Sequence, residues 1–213
     1  MIDSYTKLPL AIYDAILAIP YDLPDEDRAV SVIALLTGKT EREVLNAPLE
    51  DFSAWAARSR FLDREMPQPG RVAASYVCGD FDLEPVRDFR KITAAQFIDF
   101  QAVSSAAGDE HDILVPVLSC LMVPKGCTYG EGYDFDAVRE AIHQDLSVAD
   151  ALSLYAFFLT KYVEYVIATR TSLRKEIRKV KDPTARAELT ERLRKTEAML
   201  ETLSAGAGAG STR

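Results

Sequence analysis

The stretch that decides the fold is SVADALSLYAFFLTKYVEYVIAT, which runs from Ser147 to Thr169. Ser147-Val148-Ala149-Asp150 begins the longest helical pattern of the chain. Apolar residues then alternate steps of four and three, which places them on one helix face; they are Val148, Leu152, Tyr155, Leu159, Tyr162 and Val166. The stretch therefore predicts a long helix with one buried face.

A narrower apolar stripe continues beyond residue 169 and predicts a C-terminal helical hairpin over residues 170–204. Asp182 and Pro183 have the residue types of an N-cap and a first helical position, so a second helix is expected to begin there. Because this stripe has little else to bury it, we expect partner binding at five positions: Leu173, Ile177, Leu189, Leu193 and Leu200. Antiparallel packing of the two helices against each other explains the same stripe.

The chain before this region is divided by prolines, glycines and a change of period. Residues 1–65 show short helical patterns, and the spacing of Thr40 and Glu43 is that of a capping box. Proline and glycine then interrupt the helical pattern, and apolar residues alternate on both sides of Gly79-Asp80, which predicts a β-hairpin within residues 66–90. Residues 91–169 return to helical spacing and form a predicted helical core.

These patterns predict a mainly α fold: a helical bundle with one small β-hairpin insertion and a C-terminal helical hairpin. Residues 205–213, rich in glycine and alanine, are expected to form a flexible tail. The predicted segments are therefore 1–65, 66–90, 91–169, 170–204 and 205–213.

The composition is that of a globular protein, with 48% hydrophobic and 27% charged residues among 213. The charge is uneven: residues 1–169 carry 14 Lys and Arg against 27 Asp and Glu, net −13, whereas residues 170–201 carry ten against six, net +4. The acidic body disfavours nucleic acid as a partner, because phosphate charges would repel it.

Membrane insertion and secretion are not expected from the sequence. The most apolar helical stretch is interrupted by Lys161 and Glu164, so it falls short of the roughly 18 to 20 apolar residues that span a bilayer. The first five residues show no basic and apolar signal pattern. Cys78, Cys120 and Cys127 fit reduced thiols better than a disulfide framework. We therefore expect a cytoplasmic location.

Candidate catalytic and metal-binding residues are few, and none has a spacing typical of a known site. His111 and His143 fit surface or capping positions better than metal ligands. The acidic run Asp109 to Asp112 fits a helix start better than a calcium loop, and the glycines between Gly126 and Gly132 lack a phosphate-binding motif. We therefore expect no enzyme, no cofactor and no metal, with a site at Asp109 to Asp112 or Tyr129 to Tyr133 as the open alternative.

Four segments together resemble a family of phage proteins, the tail assembly chaperones and tail accessory proteins, especially those from phages of the Bacteroidetes. The similarity runs in order through roughly residues 5 to 170 and does not extend to the basic hairpin or the tail. The segments are 33–43 with 48–52, 91–100, 118–124 with Tyr129, and 146–159.

This resemblance implies a non-enzymatic protein in the host cytoplasm. It would hold tail tube or tape-measure subunits soluble through exposed apolar helical surface until assembly, and it brings no catalytic residues. The alternative is a structural component of the virion, such as a connector or tail-completion protein. In that case the C-terminal hairpin would be the assembly element, and it could also self-associate.

Overall fold

The computed structural model describes the backbone of residues 1–105 and 110–209, and the side chains of residues 1–105 and 113–201. The prediction of a mainly α fold with a small β-hairpin is confirmed. The α-helices of the described part are α1 (Leu10–Leu17), α2 (Asp25–Thr37), α3 (Glu41–Leu45), α4 (Leu49–Ser59), α5 (Ala94–Ser105), α6 (Glu110–Leu121), α7 (Phe135–Asp145), α8 (Val148–Lys179) and α9 (Pro183–Ala209). A single 3₁₀ turn, Arg60–Asp63, follows α4 in this part of the chain, and the strands there are β1 (Tyr76–Cys78), β2 (Phe81–Pro85) and β3 (Met122–Pro124).

Local sequence signals set the boundaries of the short N-terminal helices. Gly38 ends α2 with φ at 70°, a left-handed conformation that glycine adopts without steric cost. The predicted capping box then opens α3: the Glu43 amide donates to Thr40 Oγ1 at 3.3 Å, and the Thr40 amide donates to Glu43 Oε2 at 2.8 Å. These contacts satisfy amides that have no partner within the helix.

The strands form one antiparallel sheet in the order β1-β2-β3. The predicted β-hairpin corresponds to β1 and β2, with Tyr76 opposite Leu83. The third strand was not predicted, because Met122 and Val123 continue the apolar run of α6 and their period does not distinguish a strand from a helix. The backbone pairs Leu83 with Pro124 across β2 and β3.

The chain divides into two compact units. The first comprises residues 1–86 and 93–156. Its N-terminal and later parts meet in the backbone, where the Val148 amide donates to the Leu8 carbonyl at 2.8 Å and the Leu10 amide donates to the Leu146 carbonyl at 3.1 Å. Fully buried side chains from many elements fill its core; among them are Leu8, Ile33, Leu36, Leu83, Leu118, Leu121, Met122, Ile142 and Leu154.

The second unit comprises residues 87–92 and 157–213. It contains the predicted hairpin, because Tyr162 Oη lies 2.9 Å from Met199 Sδ and Arg174 Nη2 lies 2.5 Å from Glu197 Oε1. From the second pair to the first, the α8 residue moves towards the N-terminus while its α9 partner moves towards the C-terminus, as in an antiparallel hairpin. The Phe89 ring adds contacts to α8, with its centroid 5.6 Å from Tyr162 and 6.3 Å from Tyr165.

Two of the predicted segment boundaries fall inside helices. The boundary between 169 and 170 falls inside α8, which continues without a break to Lys179. The tail was expected to begin at residue 205, but α9 continues to Ala209, which is compatible with the high helix propensity of alanine. Residues 210–213 lie outside the described residues.

Helix α8 is long and apolar enough to cross a membrane by length and composition alone, and it is the one such helix among the described residues. One third of its most apolar 18-residue window, 33%, is buried. Because a core helix can pass the same test, this finding does not locate the protein. The expectation that the chain does not span a membrane stays a prediction.

Candidate functional site

An apolar groove in the first unit is a candidate binding surface, because two of its leucines are exposed. It has a volume of about 490 Å³ and lies where the start of α2, the end of α3 and the start of α4 meet. We name it the α2–α4 groove. Its lining residues are Asp25, Glu26, Ala29, Val30, Val44, Leu45, Ala47, Leu49 and Phe52.

The floor of the α2–α4 groove is part of a small hydrophobic core. Val30 and Val44 belong to a buried cluster with Ile33 and Ala34, and Phe52, Trp55 and Ala56 pack against it from α4. Helix α4 itself has no fully buried residue. The groove therefore has a buried floor, whereas its α4 side consists of the half-buried Phe52 and the exposed Leu49.

The rim of the groove exposes two leucines to solvent. Leu45 is 68% exposed and Leu49 is 79% exposed, so both leucines remain largely in contact with water. Covering such a side chain with apolar surface gains about 1.5–3 kcal/mol. Exposed leucines beside an apolar groove are typical of protein interaction surfaces.

The charge around the groove is acidic. Asp25 and Glu26 line it from the first turn of α2, and Glu50 and Asp51 occupy the first turn of α4. All four side chains are exposed. Their attraction to the positive ends of the two helices explains their position within the fold. They also give the rim a negative potential that favours basic residues in a bound segment.

A second, larger groove lies on another side of α2. Its volume is about 670 Å³, and the end of α1 and the connection to α3 form its other walls. Ile12, Ile19, Leu23 and Leu35 are among its apolar lining residues. No large hydrophobic side chain in its lining is as exposed as Leu45 or Leu49, so we place the candidate site in the α2–α4 groove.

The five residues predicted to bind a partner are placed in the hairpin of the second unit. Leu173 is buried, and the other four are half-buried: Ile177, Leu189, Leu193 and Leu200. This burial agrees with the alternative reading, packing of α8 against α9. Partner binding through these five residues stays a prediction.

Two cysteine thiols and one tyrosine hydroxyl lie in surroundings that raise their pKa and so keep them protonated. Burial raises the pKa of the Cys78 thiol to about 11 and also raises the pKa of Cys120, so both thiols are protonated at neutral pH. Tyr129, in the glycine-rich loop, donates its hydroxyl proton to Asp99 Oδ2 at 2.9 Å. Burial and this hydrogen bond raise the pKa of the Tyr129 hydroxyl. The thiols and this phenol are therefore held neutral.

The remaining candidates are His143 and the acidic run from Asp109 to Asp112. His143 Nε2 lies 2.9 Å from Asp14 Oδ2 and joins α7 to α1. Asp109 lies outside the described residues, and so do the side chains of Glu110, His111 and Asp112. Within the described ranges, no group of three or more His, Cys, Asp or Glu side chains is placed to hold a metal ion.

Comparisons with known proteins give no relative on which to base an assignment. The sequence matches no known family profile and no curated protein, and the fold matches no solved structure. The functional argument therefore depends on the residues themselves. Sequence patterns alone did not identify Leu45 and Leu49 as a site, although two leucines bracketing Asn46-Ala47-Pro48 were a visible signal of apolar residues beside a turn.

Proposed function

We propose that this chain is a non-enzymatic binding protein that holds an apolar segment of another protein in the α2–α4 groove. The finer proposal is that it acts in phage tail assembly as a chaperone or accessory protein of tail tube or tape-measure subunits. The observation that carries the binding function is the pair of exposed leucines, Leu45 and Leu49, on the rim of an apolar groove with a fixed floor.

The resemblance to tail assembly chaperones supports the finer proposal. The segment 33–43 forms the end of α2 and the start of α3, and the segment 48–52 forms the start of α4. Leu49 and Phe52 in the second segment line the groove. The surface that suits a partner thus includes part of the sequence that resembles the family.

The geometry also favours a particular kind of partner segment. A groove of this volume accepts a few apolar side chains from a helix or an extended segment, and the acidic rim complements Lys or Arg beside them. A subunit that later buries the same side chains in an assembled tail would need such cover only until assembly. Stoichiometric binding without chemistry is sufficient for that task.

The test is co-expression of the chain with tail tube and tape-measure proteins, followed by affinity purification and measurement of the dissociation constant. We expect a stable complex with at least one of them. Leu49→Asp should weaken binding by roughly 30-fold or more, because it places a charge within an apolar contact. A chain that leaves every tail protein unbound would contradict the finer proposal.

Val77→Asp is the matched control, since Val77 is 77% exposed in β1 and Leu49 is 79% exposed. It introduces the same charge in the same unit away from the groove lining, and we expect unchanged binding. An equal loss of affinity in Leu49→Asp and Val77→Asp would show that the groove is not the binding site.

Mass spectrometry of purified phage particles beside infected-cell lysate separates the chaperone from the structural alternative. A chaperone should be found in the lysate with tail proteins and be absent from particles. Retention in particles at a fixed copy number would instead identify a structural component of the virion.

A further inference from the structure

The second unit carries an exposed apolar ridge on α8 that the α8–α9 hairpin leaves uncovered. Leu159, Val163 and Ile167 follow one another at intervals of four, so they form one row along the helix. Leu159 is 37% exposed, Ile167 is 44% exposed, and Val163 between them is half-buried. We name these three residues the α8 ridge. A row of this spacing is the feature that packs into the groove of another helix.

Arg170 continues the ridge, and its Nε has no hydrogen-bond partner among the described residues. Arg170 follows Ile167 by three positions and Val163 by seven, which places it on the same helix face. Its Nε is buried, and no hydrogen-bond acceptor among the described residues is placed to receive its proton. By contrast, Arg174, one turn further along, is paired with Glu197. A buried donor without an acceptor is costly, and such groups are rare in folded proteins.

From the ridge and Arg170 together, we propose that the second unit docks an acidic amphipathic helix of another protein. Its apolar face would cover Leu159, Val163 and Ile167, and a carboxylate on its flank would pair with the charge of the half-buried Arg170 side chain. The surrounding charge agrees with an acidic partner, since residues 170–201 carry ten Lys and Arg against six Asp and Glu. This surface shares no residue with the α2–α4 groove, and the inference does not rest on the proposed function.

A membrane surface and a second copy of the chain fit these observations less well. An anionic bilayer would attract the basic hairpin but repel residues 1–169, which carry a net charge of −13. A second copy would bring another basic hairpin against the first. An acidic helix brings no second basic hairpin and, unlike a bilayer, no extended negative surface, and a carboxylate matches the geometry of an arginine side chain.

The experiment uses the full chain and a fluorescein-labelled 21-residue helical peptide with leucines on one face and glutamates on its flanks. A second peptide has lysines in place of the glutamates, and a third has serines in place of the leucines. Fluorescence anisotropy should show binding of the acidic peptide and at least tenfold weaker binding of the other two. Ile167→Asp should weaken binding of the acidic peptide at least tenfold.

Arg170→Gln tests the carboxylate contact and should weaken binding of the acidic peptide about tenfold, as expected for loss of a charge-assisted hydrogen bond. Ile98→Asp is the control, because Ile98 is 63% exposed on α5 in the first unit. It should leave binding unchanged. Circular dichroism checks that each variant retains its helical content.

Several results would overturn the inference. Absence of peptide binding, equal binding of the lysine peptide, or an unchanged affinity in Arg170→Gln would each exclude an acidic helix. A dimer in sedimentation analysis that becomes monomeric in Ile167→Asp would assign the ridge to a second copy. Binding to phosphatidylserine vesicles that is lost in Ile167→Asp would assign it to a membrane surface.

Discussion

The two compact units of this chain bury apolar surface in different ways. In the first unit, side chains that are distant in the sequence meet in a closed core, as Leu8 does beside the start of α8. In the second unit, α9 has no fully buried side chain between residues 183 and 201, the part of this helix whose side chains are described. A closed core and an open hairpin therefore lie within one polypeptide, and their stability should respond differently to the same kind of substitution.

The same comparison holds for the exposed apolar surface. In the first unit it is a groove with a packed floor, whereas in the second it is a convex ridge on a helix. A groove accepts side chains from a partner, and a ridge inserts into a partner. The molecule thus presents two kinds of contact surface, one with an acidic rim and one in a basic region.

The largest effect is expected for truncation of the closed core. Leu8→Ala should lower the free energy of unfolding by about 2–5 kcal/mol, because Leu8 is fully buried and its removal leaves a cavity. Leu193→Ala in the half-buried face of α9 should cost about 1 kcal/mol, since much less surface is lost. Urea titration followed by circular dichroism measures both. If the two variants lose equal stability, the hairpin is packed as closely as the core and the comparison fails.

An intermediate effect is expected at the capping box of α3. Thr40→Ala should lower the free energy of unfolding by about 1 kcal/mol, because it removes the acceptor for the Glu43 amide. Thr190→Ala is the matched control in α9, where the Thr190 hydroxyl only donates to the Arg186 carbonyl one turn earlier. Alanine is the better helix former there, so we expect a change within about 0.5 kcal/mol.

The capping contribution should also depend on pH. Hydrogen bonds from the Thr40 amide and hydroxyl lower the pKa of Glu43. A lowered folded-state pKa means that the stabilisation is present above the unfolded-state value and is lost as the pH falls through the folded-state value. The difference in free energy of unfolding between wild type and Thr40→Ala should therefore become smaller below a pH of about 4. A constant difference from pH 7 to pH 3 would show that the Glu43 charge does not contribute.

The features that could be predicted from the sequence are those with local causes. The capping box at Thr40 and the start of α9 at Asp182-Pro183 both follow from residues within a few positions of one another. The start of α8 is another such case: the Asp150 amide donates to Ser147 Oγ at 3.1 Å, and the Ser147 hydroxyl donates to Asp150 Oδ2 at 2.7 Å.

The features that could not be predicted depend on distant contacts. Strand β3 forms because β2 offers a free edge to Met122 and Val123, and nothing in their own neighbourhood specifies this. Leu45 and Leu49 have the same apolar character as Val44, yet Val44 is 1% exposed and Leu49 is 79% exposed. The positions of α2 and α4 decide which of these residues is buried and which is exposed. The candidate surface consists of the exposed ones.

The smallest effect is expected for the ion pair that joins the two helices of the hairpin. Arg174 Nη2 and Glu197 Oε1 are 2.5 Å apart, but the side chains are 52% and 38% exposed. Water and salt screen such a pair, so a double-mutant cycle with Arg174→Ala and Glu197→Ala should give a coupling free energy of about 0.2–1 kcal/mol. Arg194 and Glu191 are the control pair, 2.9 Å apart within α9 alone. Because both pairs face solvent, their coupling free energies should be similar and should shrink in 1 M salt, where the screening length is about 3 Å. A coupling between Arg174 and Glu197 that clearly exceeds the control and persists in salt would mean that the two helices shield this pair from water, and the hairpin would then be more closed than its exposed side chains indicate.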